Sequence, residues 1–352
     1  MPRKVTLQDI ATDLNISRTT VHRALHGKEG ITEQLRESIC ARAQELGYTN
    51  NYVASSLKRK ALRLAVVLPR KDGSGRFYFK YAWDAIYEFY PEANSLNTEI
   101  ECHYFDYETD QQMQMLQSLV DAKEPVDGLL TMVAKSDEAM ANMIKRFGYR
   151  NIPVVLLDND LPGVHRIACV APHDKQIGRL GAEILCAITH NPGKILVAGG
   201  SPESASHRCN LEGFSEYIAE NSKQLELVVA HEHGNYERCY AKAANLLDTH
   251  KDIVAFYSVT ARDTLPLCKA VQDSGLAKTL RGVGSDLYPE SAELLRNDTV
   301  QALIYKNAFD KGRIGLRILF DYVVKNIRDV DQIAVPISVI MKNNLLFFEK
   351  YI

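Results

Sequence analysis

Nowhere in this 352-residue chain is there an apolar run of the roughly 18 residues that a bilayer-spanning helix needs. The opening MPRKVTLQDIATDL also lacks an apolar stretch of signal-peptide length, so a cytoplasmic chain with no membrane partner is expected. Cysteine is present without organisation. Cys40, Cys102, Cys169, Cys186, Cys209, Cys239 and Cys268 are odd in number, and no pair has the two-residue gap of a zinc or redox site. They read as small core residues in a reducing compartment, and no metal and no cofactor is expected. A Walker-type phosphate loop, a G-x-S-x-G elbow, HExxH and a GxGxxG strand–helix turn are all missing. The acidic run Asp106-Tyr107-Glu108-Thr109-Asp110 has neither metal-ligand spacing nor a partner histidine. The expectation is therefore not an enzyme, with no catalytic residue. No repeat of roughly 20–50 residues and no low-complexity tract interrupts the chain.

What is present is a globular composition, 46% apolar and 24% charged, on a chain long enough for two or three domains. The net charge of −2 hides an asymmetry. Residues 1–63 hold 11 Lys and Arg against 6 Asp and Glu, and the remainder holds 31 against 38. A small basic head on an acidic body is the sign pattern expected when only the head meets a polyanion.

The head reads as three short helices. Thr6 can cap a first one, with Asp9 in its first turn and Leu7, Ile10, Ala11 and Leu14 on one face. Asn15, which tolerates a left-handed backbone, interrupts it. Ser17 can cap a second helix from Arg18 to Leu25, and Thr32 a third that runs to Leu46 and stops at Gly47. Two short helices joined tightly, the second polar and basic outward, are a helix-turn-helix. Ala11, Ile16 and Val21 supply its packing.

From Arg63 the texture changes. Leu64–Leu68, Ile100–Phe105, Gly128–Met132, Val154–Leu157, Ile195–Ala198, Leu227–Ala230, Val254–Tyr257 and Ala302–Tyr305 read as buried parallel strands. Helical segments such as Ala82–Tyr90, Lys175–Thr189 and Asp310–Val324 fall between or after them. This alternation gives an α/β class, and its length favours two similar lobes around a cleft.

VTLQDIATDLNISRTTVHRAL (residues 5–25) resembles the N-terminal signature of the lactose-repressor (LacI/GalR) family of bacterial regulators. ITEQLRESICARAQELGYTNNYVASSLK (residues 31–58) is similar to that family's third helix, Gly-Tyr corner and hinge helix. The sequence departs from the pattern at Leu14, Asn15 and Ile16, where a small residue, Gly and Val are usual. His22 stands where Ser is common. The resemblance implies an all-α helix-turn-helix head at 1–47, a hinge helix and linker at 48–61, and an effector-binding and dimerisation domain at 62–352. That last domain would be periplasmic-binding-protein-like, with two parallel doubly wound sheets around a cleft. The implied function is a sequence-specific transcription regulator, a repressor, bound to a pseudo-palindromic operator as a homodimer and controlled by a small molecule. A protein partner or non-sugar metabolite as effector is the alternative. A transport-type binding protein would share the cleft but carry no helix-turn-helix.

The resemblance also implies roles. Arg18, Thr19 and Arg23 face base edges of double-stranded DNA, where the arginine fork can donate two bonds to guanine. Leu7, Ser17, Thr20, His26 and Thr32 match phosphate-contacting positions, and His22 lies on the exposed recognition helix. Leu57 matches a minor-groove wedge, which unstacks a base step and bends the duplex. Around it the usual hinge arginine is absent (Ser55, Ser56), while Lys58-Arg59-Lys60 is basic. In the body, Tyr78 and Phe79 fall where sugar-binding relatives place stacking aromatics. Asp158, Arg208, Thr260, Asp286 and Lys306 match ligand-contacting places at the C-terminal ends of strands. Lys306 stands where an amide is usual, so the expected effector is a sugar, polyol or sugar acid: an anionic group is favoured if the lysine points inward unpaired, a neutral sugar if Lys306 pairs with Asp286. Leu57→Ala should leave folding and effector binding intact but weaken operator binding and reduce the bend, measured by gel mobility of phased sites. An unchanged bend angle would make Leu57 mere linker.

Overall fold

A computed structural model describes residues 5–25, 29–48, 56, 59–106, 110–232, 234–328 and 333–352. His26, Leu57 and Lys58 lie outside them. In the head, α1 (Leu7–Asp13) opens with a capping box: the Asp9 amide donates to Thr6 Oγ1 at 3.3 Å and the Thr6 amide to Asp9 Oδ2 at 2.8 Å. Asn15 takes φ 52°, the left-handed turn read from the sequence, and α2 (Arg18–Leu25) and α3 (Glu33–Glu45) follow. Ile10, Ala11, Val21, Ala24, Ile39 and Ala43 close a small core of their own, with Ile16 packed at its edge. Arg42 of α3 pairs with Asp13 of α1 at 2.5 Å and fixes the two ends together.

The body begins at β1 (Leu62–Pro69), whose Leu64–Leu68 are wholly buried, as a strand covered on both faces requires. Its lobe continues through α4 (Phe79–Glu88), α5 (Tyr90–Ser95), β2 (Thr98–Phe105), α6 (Gln111–Asp121), β3 (Gly128–Met132), α7 (Glu138–Tyr149), β4 (Val154–Leu157) and β5 (Ala168–Ala171). The chain then crosses to a second lobe of α8 (Asp174–Ile188), β6 (Gly193–Ala198), α9 (Ala205–Asn221) and β7 (Leu225–Ala230). That lobe continues through α10 (Tyr236–Thr249), β8 (Ile253–Ser258), α11 (Ala261–Asp273), β9 (Arg281–Ser285), α12 (Pro289–Arg296) and β10 (Ala302–Tyr305). It returns to the first lobe for α13 (Ala308–Lys325) and β11 (Ile333–Ala334), and crosses a third time to β12 (Ser338–Ile340).

The sheet orders are β11-β5-β4-β3-β1-β2 and β12-β10-β9-β8-β6-β7. Two parallel sheets were expected, and one edge departs from that: β12 runs antiparallel to β10. β5, β9, β11 and β12 also escape the sequence reading. They are short or glycine-bearing, and Gly282 of β9 has no side chain because a Cβ there would lie 2.1 Å from the Phe256 ring.

Two glycines set how the second lobe packs. A Cβ on Gly178 of α8 would lie 1.8 Å from the Asn210 carbonyl oxygen of α9, and one on Gly213 of α9 would lie 2.0 Å from the Lys175 carbonyl oxygen of α8. The helices meet backbone to backbone. Gly213→Ala gains up to about 1 kcal/mol of helix propensity but must push rigid main chain apart. A net loss of about 1–3 kcal/mol is expected in urea denaturation, and an unchanged midpoint would disprove the close approach.

Candidate functional site

Two surfaces carry functional side chains. On α2, Val21 and Ala24 turn into the head core while Arg18, Thr19 and Arg23 are exposed on the opposite side, with His22 half-buried beside them. Ser17 accepts the Thr20 amide at 3.0 Å, and the two hydroxyls lie 2.8 Å apart, so both side chains already serve the start of α2. Thr32 caps α3 through the Leu35 amide. Leu7 packs its side chain inward, against the head core, which leaves only main-chain groups for a phosphate.

The second surface is a cavity of about 190 Å³ between the lobes, at the C-terminal ends of both sheets. Of the expected effector residues, Tyr78, Phe79, Asp158, Thr260, Asp286 and Lys306 line it. Arg208 does not. It is exposed, and its guanidinium donates to the Pro202 carbonyl at 2.7 Å. His207, one residue earlier and so about 100° round the same helix, lines the cavity instead.

Asp158 follows β4 and Asp286 follows β9, and both adopt left-handed backbone, φ 64° and 61°. Aspartate tolerates that conformation better than most residues. Each meets a lysine. Lys306 Nζ lies 3.2 Å from Asp286 Oδ2 and donates to the Val259 carbonyl at 3.2 Å, while its amide donates to Asp286 Oδ1 at 2.9 Å. Lys311, on the buried side of α13, lies 2.5 Å from Asp158 Oδ1 and also donates to the Tyr78 hydroxyl. That hydroxyl in turn donates to the same Asp158 oxygen at 2.6 Å. Burial pushes the Asp158 carboxyl up to about 8 and the Lys311 ammonium down to about 7. A proton moving between them leaves the pair's total charge at zero.

Thr260 is the N-cap of α11: its hydroxyl accepts the Asp263 amide at 3.1 Å, so its first duty is structural. Lys311, Asp174 and His207 were not singled out from the sequence. Lys311 could have been, because it stands one and two helical repeats before Gly315 and Leu319 on an otherwise apolar face. The lobes also touch beyond the cavity. Arg76 pairs with Glu290 at 2.5 Å, and the Phe77 and Tyr288 rings meet edge-on at 5.0 Å. Among the described residues no cluster of His, Cys, Asp and Glu is placed to hold a metal ion, and no helix is long and apolar enough to cross a membrane.

Residues 65–326 match the periplasmic binding protein domain family, and residues 6–51 match the lacI family of bacterial regulatory proteins. Catabolite control protein A of Priestia megaterium is 22% identical over 338 residues, 94% of this chain and 96% of that protein. The ribose operon repressor of Halalkalibacterium halodurans is 25% identical over 346 residues, 96% of each. Among solved structures, an ABC-transporter solute-binding protein from Bacillus halodurans C-125 with bound myo-inositol superposes with a TM-score of 0.73 at 18% identity, over 83% of this chain and 99% of that one. One from Agrobacterium vitis with bound D-fucose gives 0.71 at 21% identity, over 80% and 96%. A lacI-type head of three packed helices, joined to a two-lobed body with a cavity between its sheets, places the chain: it belongs to the periplasmic binding protein domain family and is a DNA-binding transcriptional repressor of the lacI family.

Proposed function

We propose that this regulator grips a pseudo-palindromic operator as a homodimer, and that a sugar-like polyol seated between its lobes sets that grip. In this reading residues 1–47 read DNA, 48–61 form the hinge and 62–352 form the effector-binding and dimerising body. Arg18, Thr19, His22 and Arg23 address base edges. Ser17, Thr20, His26, Thr32, Lys58 and the Leu7 main chain hold phosphates, and Leu57 enters the minor groove. The observation that carries the effector half is the cavity itself. It is bounded by both lobes, walled by Tyr78 and Phe79, and set with buried carboxylates that can accept hydroxyl protons. The structural relatives with bound myo-inositol and D-fucose support the polyol class. A small molecule between the lobes suits a cavity of this size better than a protein partner does.

The DNA half predicts a steep fall of operator affinity with salt, as lysines and arginines release counterions, and a footprint with two-fold symmetry. Arg23→Ala should lose roughly 1–3 kcal/mol of discrimination at one base pair. Equal weakening on all sequences would demote Arg23 to a phosphate contact. A thermal-shift screen against sugars, polyols and sugar acids tests the effector half. For whichever compound stabilises the protein, His207→Ala should weaken binding about tenfold or more while Arg208→Ala leaves it within about twofold by calorimetry. The reverse order would misplace the cavity.

A further inference from the structure

Every cation at the floor of the cavity already has a carboxylate. Lys306 is held by Asp286 and the Val259 carbonyl, and Lys311 by Asp158 and Tyr78. An inward lysine in search of an anionic ligand, the basis for expecting a sugar acid or phosphate, is therefore not what this floor offers. The group left over has the opposite sign. Asp174, the first residue of α8, lines the cavity close enough to Asp158 and Asp286 to feel their charge. Ser206 also lines the cavity and helps to hold the Asp174 carboxyl down, and among the described residues Asp174 makes no ion pair within the reach at which Lys306 and Lys311 meet their aspartates.

The remaining charged groups do not make good the deficit. Arg70 is paired with Asp106 at 3.0 Å, and Arg262, which donates to the Gly234 carbonyl at 3.0 Å, keeps its charge but is set against both Asp174 and Asp72. His207 accepts the Ser201 amide at Nδ1, 3.0 Å away. The N-terminus of α8 supplies only a fractional positive charge, about half a unit. Asp72 adds a fifth carboxylate to the lining against four lysines and arginines. Burial pushes the Asp174 carboxyl up to about 6 against the opposing pull of Ser206, Lys306 and His173. That shift is what a desolvated carboxylate with too little positive charge around it should show.

Resting on the reading of the cavity as a polyol site, we infer that the effector carries a basic amino group, as an amino sugar or amino polyol does, with its ammonium seated against Asp174 and Ser206. A hydroxyl donates one neutral bond to a carboxylate. An ammonium donates a charge-assisted one and cancels the surplus charge that closing the cavity would strip of water. The same surplus repels a phosphate or uronate.

The test uses the full-length protein and matched sets of hexoses, pentoses and their alditols, each as the neutral compound, its amino-deoxy derivative and its uronate or phosphate. Thermal shift and calorimetry rank each set. In at least one set the amino-deoxy member is expected to bind about tenfold or more tighter than its neutral parent, with the anionic member weakest. Asp174→Asn should erase that preference and Asp174→Glu should retain part of it, with cooperative thermal unfolding of the unliganded variants showing that each is folded. Asp174→Ser, which keeps a polar group in the first turn of α8, replaces Asn if that variant does not fold. If the neutral or anionic member binds tightest, or the amine preference survives loss of the carboxylate, the inference fails and the polyol reading stands. If no member of any set binds while operator binding is intact, the polyol reading fails, and this inference with it.

Discussion

The body of this repressor is organised around two buried aspartate–lysine contacts made by one short stretch of chain. Lys306 leaves β10 in the second lobe and meets Asp286; five residues on, Lys311 enters α13 in the first lobe and meets Asp158. An unpaired charge at either place would be costly to bury, and removing one partner would leave the other stranded. The two aspartates are geometric counterparts, each the left-handed residue that follows a central strand, each presenting its carboxylate to the cavity floor. The segment between the lysines therefore couples the electrostatics of both lobes to a single crossing of the chain. The aromatic wall depends on the same contact, since the Tyr78 hydroxyl is held between Lys311 and Asp158.

Much of this could be read from residues alone. The helix-turn-helix was legible because capping residues, a left-handed Asn15 and an apolar stripe all agree within twenty-odd positions. The central strands were legible because burial on both faces demands unbroken runs such as Leu64–Leu68. β5 and β9 were hidden because tight packing there favours small residues: alanines at the ends of one, glycines under Phe256 and Leu303 in the other.

The cavity was half legible. Residues that end strands were found, because the C-terminal edges of parallel sheets are where such folds present side chains. Asp174, His207 and Lys311, which lie within the first turns of helices, were not. Arg208 and His207 differ by one position, yet that rotation separates a side chain on the surface from one in the cavity. Asp174 looks in sequence like any acidic first-turn residue, favourable for its helix dipole. Only the crossing from β5 to α8 brings it between the lobes.

The interleaving of the lobes also bears on how the chain is made. Ser56 and Arg59 dock on the first lobe, where Asn97 donates to both carbonyls, so that lobe is the one that supports the head. Yet its core is closed by Leu316, Leu319 and Phe320 of α13 and edged by β11, both supplied near the end of the sequence. The second lobe is almost continuous, lacking only β12 and the C-terminal turns whose Leu345 packs into its core. On the ribosome the head thus emerges first, most of the far lobe can consolidate next, and the lobe beside the head waits for α13 and β11 near the end of synthesis. During that interval a DNA-reading module exists before the part that restrains it. A message broken between β10 and α13 would encode a head tethered to a lobe that cannot close.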